Sequence, residues 1–185
     1  MSSAAAPHDL LDWVRAALAS WPVRGAEQAR LRASYLAHLE LHPDALWRDG
    51  PPAHLTASAF VFDQDQRNVL LTLHRKGGFW VQCGGHIEPD DATLSAAALR
   101  EATEESGIPN LRVIGPADLD RHRLSAAFGR CREHLDAAYV VHAPYGVQPQ
   151  VSAESLDVAW WPVDALPEAV VPDLPARIAR ILATS

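Results

Sequence analysis

Apolar residues recur at helical spacing in two stretches near the start of the chain. Leu10, Leu11, Trp13, Val14 and Leu18 form the first set and Leu31, Tyr35, Leu36 and Leu39 the second, with Trp-Pro-Val-Arg-Gly between them. That period predicts two helices between Asp9 and about Leu41, broken where proline and glycine interrupt it. The turn-rich "LHPDALWRDGPP" reads as a link. The pattern then changes: "HLTASAFVFD" and "NVLLTLHR" are strand-like runs separated by polar "QDQR", and a Gly-rich loop, "GGFWVQCGGHIEPDD", follows. An alanine-rich helix is predicted from about Thr93 to Ser106, with Gly107 as its C-cap glycine. Beyond it, "NLRVIG", "LDAAYVVHA" and "DVAWWPV" read as strands, and "DLPARIARILA" as a closing helix with Leu174, Ile178, Ile181 and Leu182 on its apolar side. Strands surrounding a few helices give an α/β (α+β) domain.

Composition narrows the class. The 185 residues suffice for one domain with a full core, and 48% hydrophobic with 21% charged residues describes an ordinary globular protein. A net charge of −7 argues against a protein that coats nucleic acid, which needs a basic footprint to displace counterions. An anionic small substrate would then need a local cation. Cys83 and Cys131 lie too far apart in sequence for a zinc pair and are too few for a disulfide framework, so reduced thiols are expected. Asp9, Asp12 and Arg15 interrupt the apolar residues at the N-terminus, and no window approaches the roughly 20 apolar residues of a membrane span. The expected compartment is the cytoplasm, without a membrane partner.

The stretch "ALREATEESGI" carries the chemistry: Glu101, Glu104 and Glu105 lie within five residues beside a single cation, Arg100. On a helix the three acids occupy an arc of about 100°, with Leu99 nearly opposite and facing the core with Leu94 and Ala102. Like charges at such spacings cost about 0.2–0.5 kcal/mol per pair. A solvated acidic face would tolerate that, but the arc has no lysine and the helix follows a Gly-Gly turn whose backbone can approach a ligand closely. Carboxylate and carbonyl oxygens are the donors that Mg²⁺ prefers, together with substrate phosphates.

"GGHIEPDDATLSAAALREATEESGI", residues 84–108, resembles the Nudix box, G-x5-E-x7-R-E-U-x-E-E-x-G-U, where U is a bulky aliphatic residue. Gly85, Arg100, Glu101, Glu104, Glu105, Gly107 and Ile108 match it. Asp91 takes the place of the first glutamate, one extra residue precedes Arg100, and Ala102 stands at the first aliphatic position. The resemblance extends more weakly over about residues 54 to 170. It implies a Nudix-like α/β/α sandwich with a central mixed sheet over residues 51–185 and a helical N-terminal extension over residues 1–50, which covers the sheet or makes a homodimer contact. It implies hydrolysis of a nucleoside diphosphate linked to another moiety. Glu101, Glu104, Glu105 and the Gly85 carbonyl would bind Mg²⁺ or Mn²⁺, with Glu104 or Glu105 as general base and Glu154 as a rival. Arg100 would brace the glutamates, a spacing of one and four residues permitting ion pairs.

Arg75 and Lys76 at a strand end, Trp80, His86 and Glu88 are candidates to meet the substrate. His134 and Asp136 read as a surface pair, Cys83 as a buried structural thiol, and Trp160 and Trp161 as split between core and surface. The alternatives are a non-catalytic nucleotide-binding module on the same fold and an isoprenoid diphosphate isomerase, whose motif around Cys83 is missing.

Overall fold

The computed structural model describes residues 7–124, 129–153 and 155–183. Helices α1 (Pro7–Ala19) and α2 (Gly25–Leu41) precede strands β1 (Ala53–Phe62), β2 (Asn68–His74), β3 (Trp80–Val81) and β4 (Cys83–His86). Helix α3 (Leu94–Ser106) leads to β5 (Arg112–Arg123), β6 (Glu133–His142), β7 (Ser155–Pro162) and α4 (Leu174–Leu182). Among the described residues the strands form a seven-stranded mixed sheet in the order β3-β2-β1-β6-β5, with β4 paired to β1 and β7 to β2. This is the mixed α+β class expected, with the two helices as an N-terminal extension.

Two readings of the pattern are corrected. Residues 77–91, expected as a loop, contain β3 and β4, strands of two and four residues that are too short to show alternation. Strand β5 runs eight residues beyond "NLRVIG" to Arg123, because pairing in the sheet sustains a polar segment in which only Leu119 and Asp118 are buried.

The chain divides into two compact units. One comprises Met1–Ala57, Gly85–Ala97 and Pro116–Ala138, the other Ser58–Gly84, Ala98–Gly115 and Tyr139–Ser185, so that β1, β4, α3, β5 and β6 contribute to both. In the first, α1 buries Leu10, Val14 and Leu18 at helical spacing while Trp13 stays 39% exposed. Helix α2 buries Tyr35 and Leu39 together with a polar residue, Gln28. The Gln28 amide donates to the Leu119 carbonyl and accepts from the Leu119 N–H, both at 2.9 Å, as a backbone strand would. The Tyr35 hydroxyl shares its one proton between the Asp120 and Asp136 carbonyls, both within hydrogen-bond reach. Ala45 and Leu46, in the turn-rich link, are also buried.

In the second unit β2 is flanked on both sides. Leu70 pairs with Val61 of β1 and Trp160 of β7, and Leu73 with Trp80 of β3 and Asp157 of β7. Val69, Leu70 and Leu71 form a continuous buried run rather than an alternating one, so both faces of β2 are covered there. The β1–β2 turn is held by Asp63, whose Oδ1 accepts the Arg67 and Asn68 N–H groups and whose Oδ2 accepts the Asn68 side chain. Helix α4 buries Leu174, Ile178 and Ile181, and also Arg177, whose guanidinium lies 5.1 Å from the centre of the Phe60 ring.

Replacing Gln28 with leucine keeps the apolar contact but removes both bonds to Leu119. The expected loss is about 1–3 kcal/mol, read as a lower urea midpoint with an unchanged m-value.

Candidate active site

Thr93 opens the acidic helix: its hydroxyl accepts the Ala96 N–H at 3.0 Å, satisfying one of the donors a helix start leaves without a partner. Gly107 closes it with φ at +64°, the left-handed conformation a helix-ending glycine supplies without strain. Its N–H donates to the Thr103 carbonyl and the Gln150 N–H donates to the Ser106 carbonyl. Leu94, Ala97, Ala98, Ala102 and Ser106 make up the buried face. Leu99, expected in the core, is half-buried, because the row Leu94-Ala98-Ala102 takes the inward positions instead.

The glutamates hold different places on this helix. Glu101 keeps only 12% of its side chain exposed, against 59% for Glu104. Arg100 stands between them, its Nη1 donating to Glu101 at 3.0 Å and to Glu104 at 3.2 Å. Glu105 reaches back to β4, where its Oε2 accepts the Gly84 N–H at 3.0 Å. Gly85 is the next residue of that strand. Beside this bond, burial first, then the Glu105 carboxylate through charge and hydrogen bonding, and then Glu101, push the Cys83 thiol well up. Cys83 is therefore a buried, neutral thiol, as expected, that feels two of the three carboxylates. Three carboxylates against one guanidinium leave a net negative, all-oxygen donor set, and that chemistry fits a hard divalent cation.

The bend before α3 is held by Asp91. Its buried carboxylate accepts the Glu88 N–H at 2.8 Å and its own N–H donates to the Glu88 carbonyl at 3.0 Å. Aspartate at this position thus braces the turn despite the extra residue before Arg100. Glu154 lies outside the described residues.

The remaining candidates separate. Arg75 and Lys76 are exposed, but the Arg75 guanidinium donates to the Ser155 carbonyl at 3.0 Å, which ties it to the start of β7. Trp80 is half-buried, edge-on to Trp161 with ring centres 5.4 Å apart. Trp160 and Trp161 do not divide into core and surface: both are half-buried, and Trp160 turns the other way to donate to the Val147 carbonyl. The Glu88 side chain is exposed.

His134 and Asp136 are not a surface pair. Asp136 is 3% exposed and accepts the Thr56 hydroxyl, while His134 joins a group that the pattern reading missed. His54, His86, Cys131 and His134 bring one potential ligand atom each to within 4.8 Å of one another, the group of this kind found among the described residues. Burial first, then neighbouring imidazoles and cations, push His86 down to about 4 and His134 to about 3. The signal available in the sequence was Cys131-x-x-His134, a ligand-like spacing with no second cysteine to draw attention to it.

Residues 52–183 match the family model described as NUDIX domain. No curated protein sequence matches the chain. Among solved structures, a NUDIX-family hydrolase from Clostridium perfringens is similar with a TM-score of 0.58 at 22% identity, over 70% of this chain and 96% of that one. The E. coli dihydroneopterin triphosphate pyrophosphohydrolase reaches 0.60 at 19% identity, over 71% and 96%. A C. elegans Ap4A hydrolase reaches 0.56 at 18%, over 70% and 95%. At these identities the likeness shows a shared fold.

Removing Arg100 should cost more than removing its exposed partner. Arg100→Ala leaves the shielded Glu101 without that cation and is expected to lose about 1–3 kcal/mol, whereas Glu104→Ala, at an exposed pair, should lose under about 1 kcal/mol. Thermal denaturation of both variants in metal-free buffer checks the order.

Proposed function

We infer the reaction from a single premise: this chain belongs to the NUDIX family and is a diphosphohydrolase. It hydrolyses a phosphoanhydride in a nucleoside diphosphate linked to another moiety, with Mg²⁺ or Mn²⁺ as cofactor. The observation that carries this reading is the acidic face of α3, where Arg100 bonds to Glu101 and Glu104 and the Gly84 N–H bonds to Glu105.

Glu101, Glu104 and Glu105 would hold the cation. When bound, it supplies the positive charge that offsets the diphosphate and favours attack by water at phosphorus. The protein's own groups do the rest. Arg100 keeps Glu101 and Glu104 fixed in direction, so that their oxygens need little reordering when substrate arrives. The Gly84 N–H does the same for Glu105. As water attacks, its proton passes to a carboxylate oxygen; Glu104 is the first candidate by its exposure, and Glu105 the second. The bond from phosphorus to the bridging oxygen breaks, releasing two phosphorylated products. Lys76, exposed at the end of β2, is available to phosphate oxygens, and Trp80 to a base or ring.

The substrate is to be sought by panel. The neighbours named for dihydroneopterin triphosphate and for Ap4A differ in substrate and are too distant to choose for this chain. Release of phosphate or nucleotide from nucleoside triphosphates, dinucleotides, nucleotide sugars, coenzyme A and ADP-ribose should appear with added Mg²⁺ or Mn²⁺ and vanish with chelator. Glu104→Gln and Glu105→Gln are each expected to lower turnover by orders of magnitude on the substrate so found. Their far-UV spectra should be unchanged, since the amide oxygen that Glu105→Gln introduces still accepts the Gly84 N–H. Full turnover in either variant at saturating Mg²⁺ would overturn the assignment.

A further inference from the structure

His54 and the three residues around it lie outside the acidic helix and play no part in the reaction above. His54 begins β1, His86 ends β4, and Cys131 and His134 lead into β6. The three imidazole centres form a nearly equilateral triangle with sides of 5.1, 5.3 and 5.3 Å.

His54 is the most informative member. It is fully buried, and its Nδ1 lies 3.1 Å from the Pro51 carbonyl. A carbonyl only accepts, so Nδ1 carries a proton, and the tautomer with its one proton there offers a lone pair at Nε2. That Nε2 is shielded from solvent and has no hydrogen-bond partner among the described residues, and the same holds for Nε2 of His134. Buried polar atoms are rarely left so. An imidazole whose far nitrogen donates to a backbone carbonyl is also the usual bearing of a metal-ligating histidine.

The backbone holds these groups in place. The Arg132 and Glu133 N–H groups both donate to the Pro52 carbonyl, and the Leu124 N–H donates to the Arg132 carbonyl. The Cys131-x-x-His134 segment is thereby fastened to the residues just before His54. The Cys131 thiol, 9% exposed, supplies a sulfur donor.

We propose that His54, His86, Cys131 and His134 form a structural zinc site. Imidazole nitrogen with thiolate sulfur is the donor chemistry of zinc and unlike the carboxylates of α3, so the two sets sort two different cations. Zinc bonds of about 2.0–2.1 Å to nitrogen and 2.3 Å to sulfur put tetrahedral ligands roughly 3.3–3.6 Å apart. The observed spread, within 4.8 Å, closes to that by small side-chain rotations. Four protein ligands fill a tetrahedral ion and leave no position for substrate, which makes the role structural: it fastens the starts of β1 and β6 to the end of β4. On binding, Cys131 gives up its thiol proton to solvent as the sulfur–zinc bond forms.

The test is metal content of the full chain, expressed with zinc available, passed through gel filtration and measured by elemental mass spectrometry. Equimolar zinc is expected in the wild type and in Glu104→Gln. It should be lost in Cys131→Ser and in His134→Gln. Stripping the metal should lower the melting temperature, and Zn²⁺ but not Mg²⁺ should restore it. Should both ligand variants fail to fold by circular dichroism, Co²⁺-loaded wild type decides. A thiolate-to-cobalt charge-transfer band with tetrahedral d–d absorption supports the site, and its absence overturns it. Zinc-free wild-type protein, or equimolar zinc retained in folded Cys131→Ser and His134→Gln, overturns it equally.

Discussion

Repulsion among three carboxylates on one helix is the constraint around which this part of the molecule is arranged. Two answers to it are visible: Arg100 shared between Glu101 and Glu104, and the Gly84 amide directed at Glu105. Neither cancels the charge. A guanidinium and a peptide dipole lower the cost of assembling the acids while leaving the helix face negative, which is the condition under which a divalent cation gains most by arriving. Cys83 registers the same field, since the carboxylates that attract a cation also oppose a thiolate.

A different principle governs the other unit. There, polar side chains are buried and satisfied by backbone: Gln28 on Leu119, Tyr35 on Asp120 and Asp136. Each bond joins residues that a purely apolar interface would leave free to slide. The N-terminal helix α2 is thus fixed in register on β5 and β6 by hydrogen bonds as well as by the packing of Leu39. Precision of this kind suits a region that gathers ligands from three separate chain segments.

Much of this was legible in the sequence, and what escaped did so for physical reasons. The long helices α1, α2 and α4 declare themselves because one face must be dry, and β1, β2 and β6 because they are apolar-rich runs bounded by turn formers. The glutamates were legible because three like charges beside a single nearby cation in the sequence are conspicuous. Strands β3 and β4 were hidden, since two or four residues carry no period and are held by neighbours. Strand β5 was half hidden, because ladder hydrogen bonds keep a polar segment extended. Leu99 misled because alanines at 98 and 102, small enough to let the helix approach its support, took the buried row. The histidine group was the least legible: no local rule relates residues 54, 86 and 134, and only tertiary pairing brings them together.

The three bonds that Asp63 accepts reach well beyond their turn. They set the alignment of β2 against β1, and β7 is laid on β2 residue for residue from Asn68 to Leu73. Strand pairing has a period of two, so a slip of one residue exchanges faces. The side of the sheet on which Trp161 meets Trp80 is therefore inherited from an aspartate almost a hundred positions earlier, and a small error in one hairpin would be copied into the last strand of the chain.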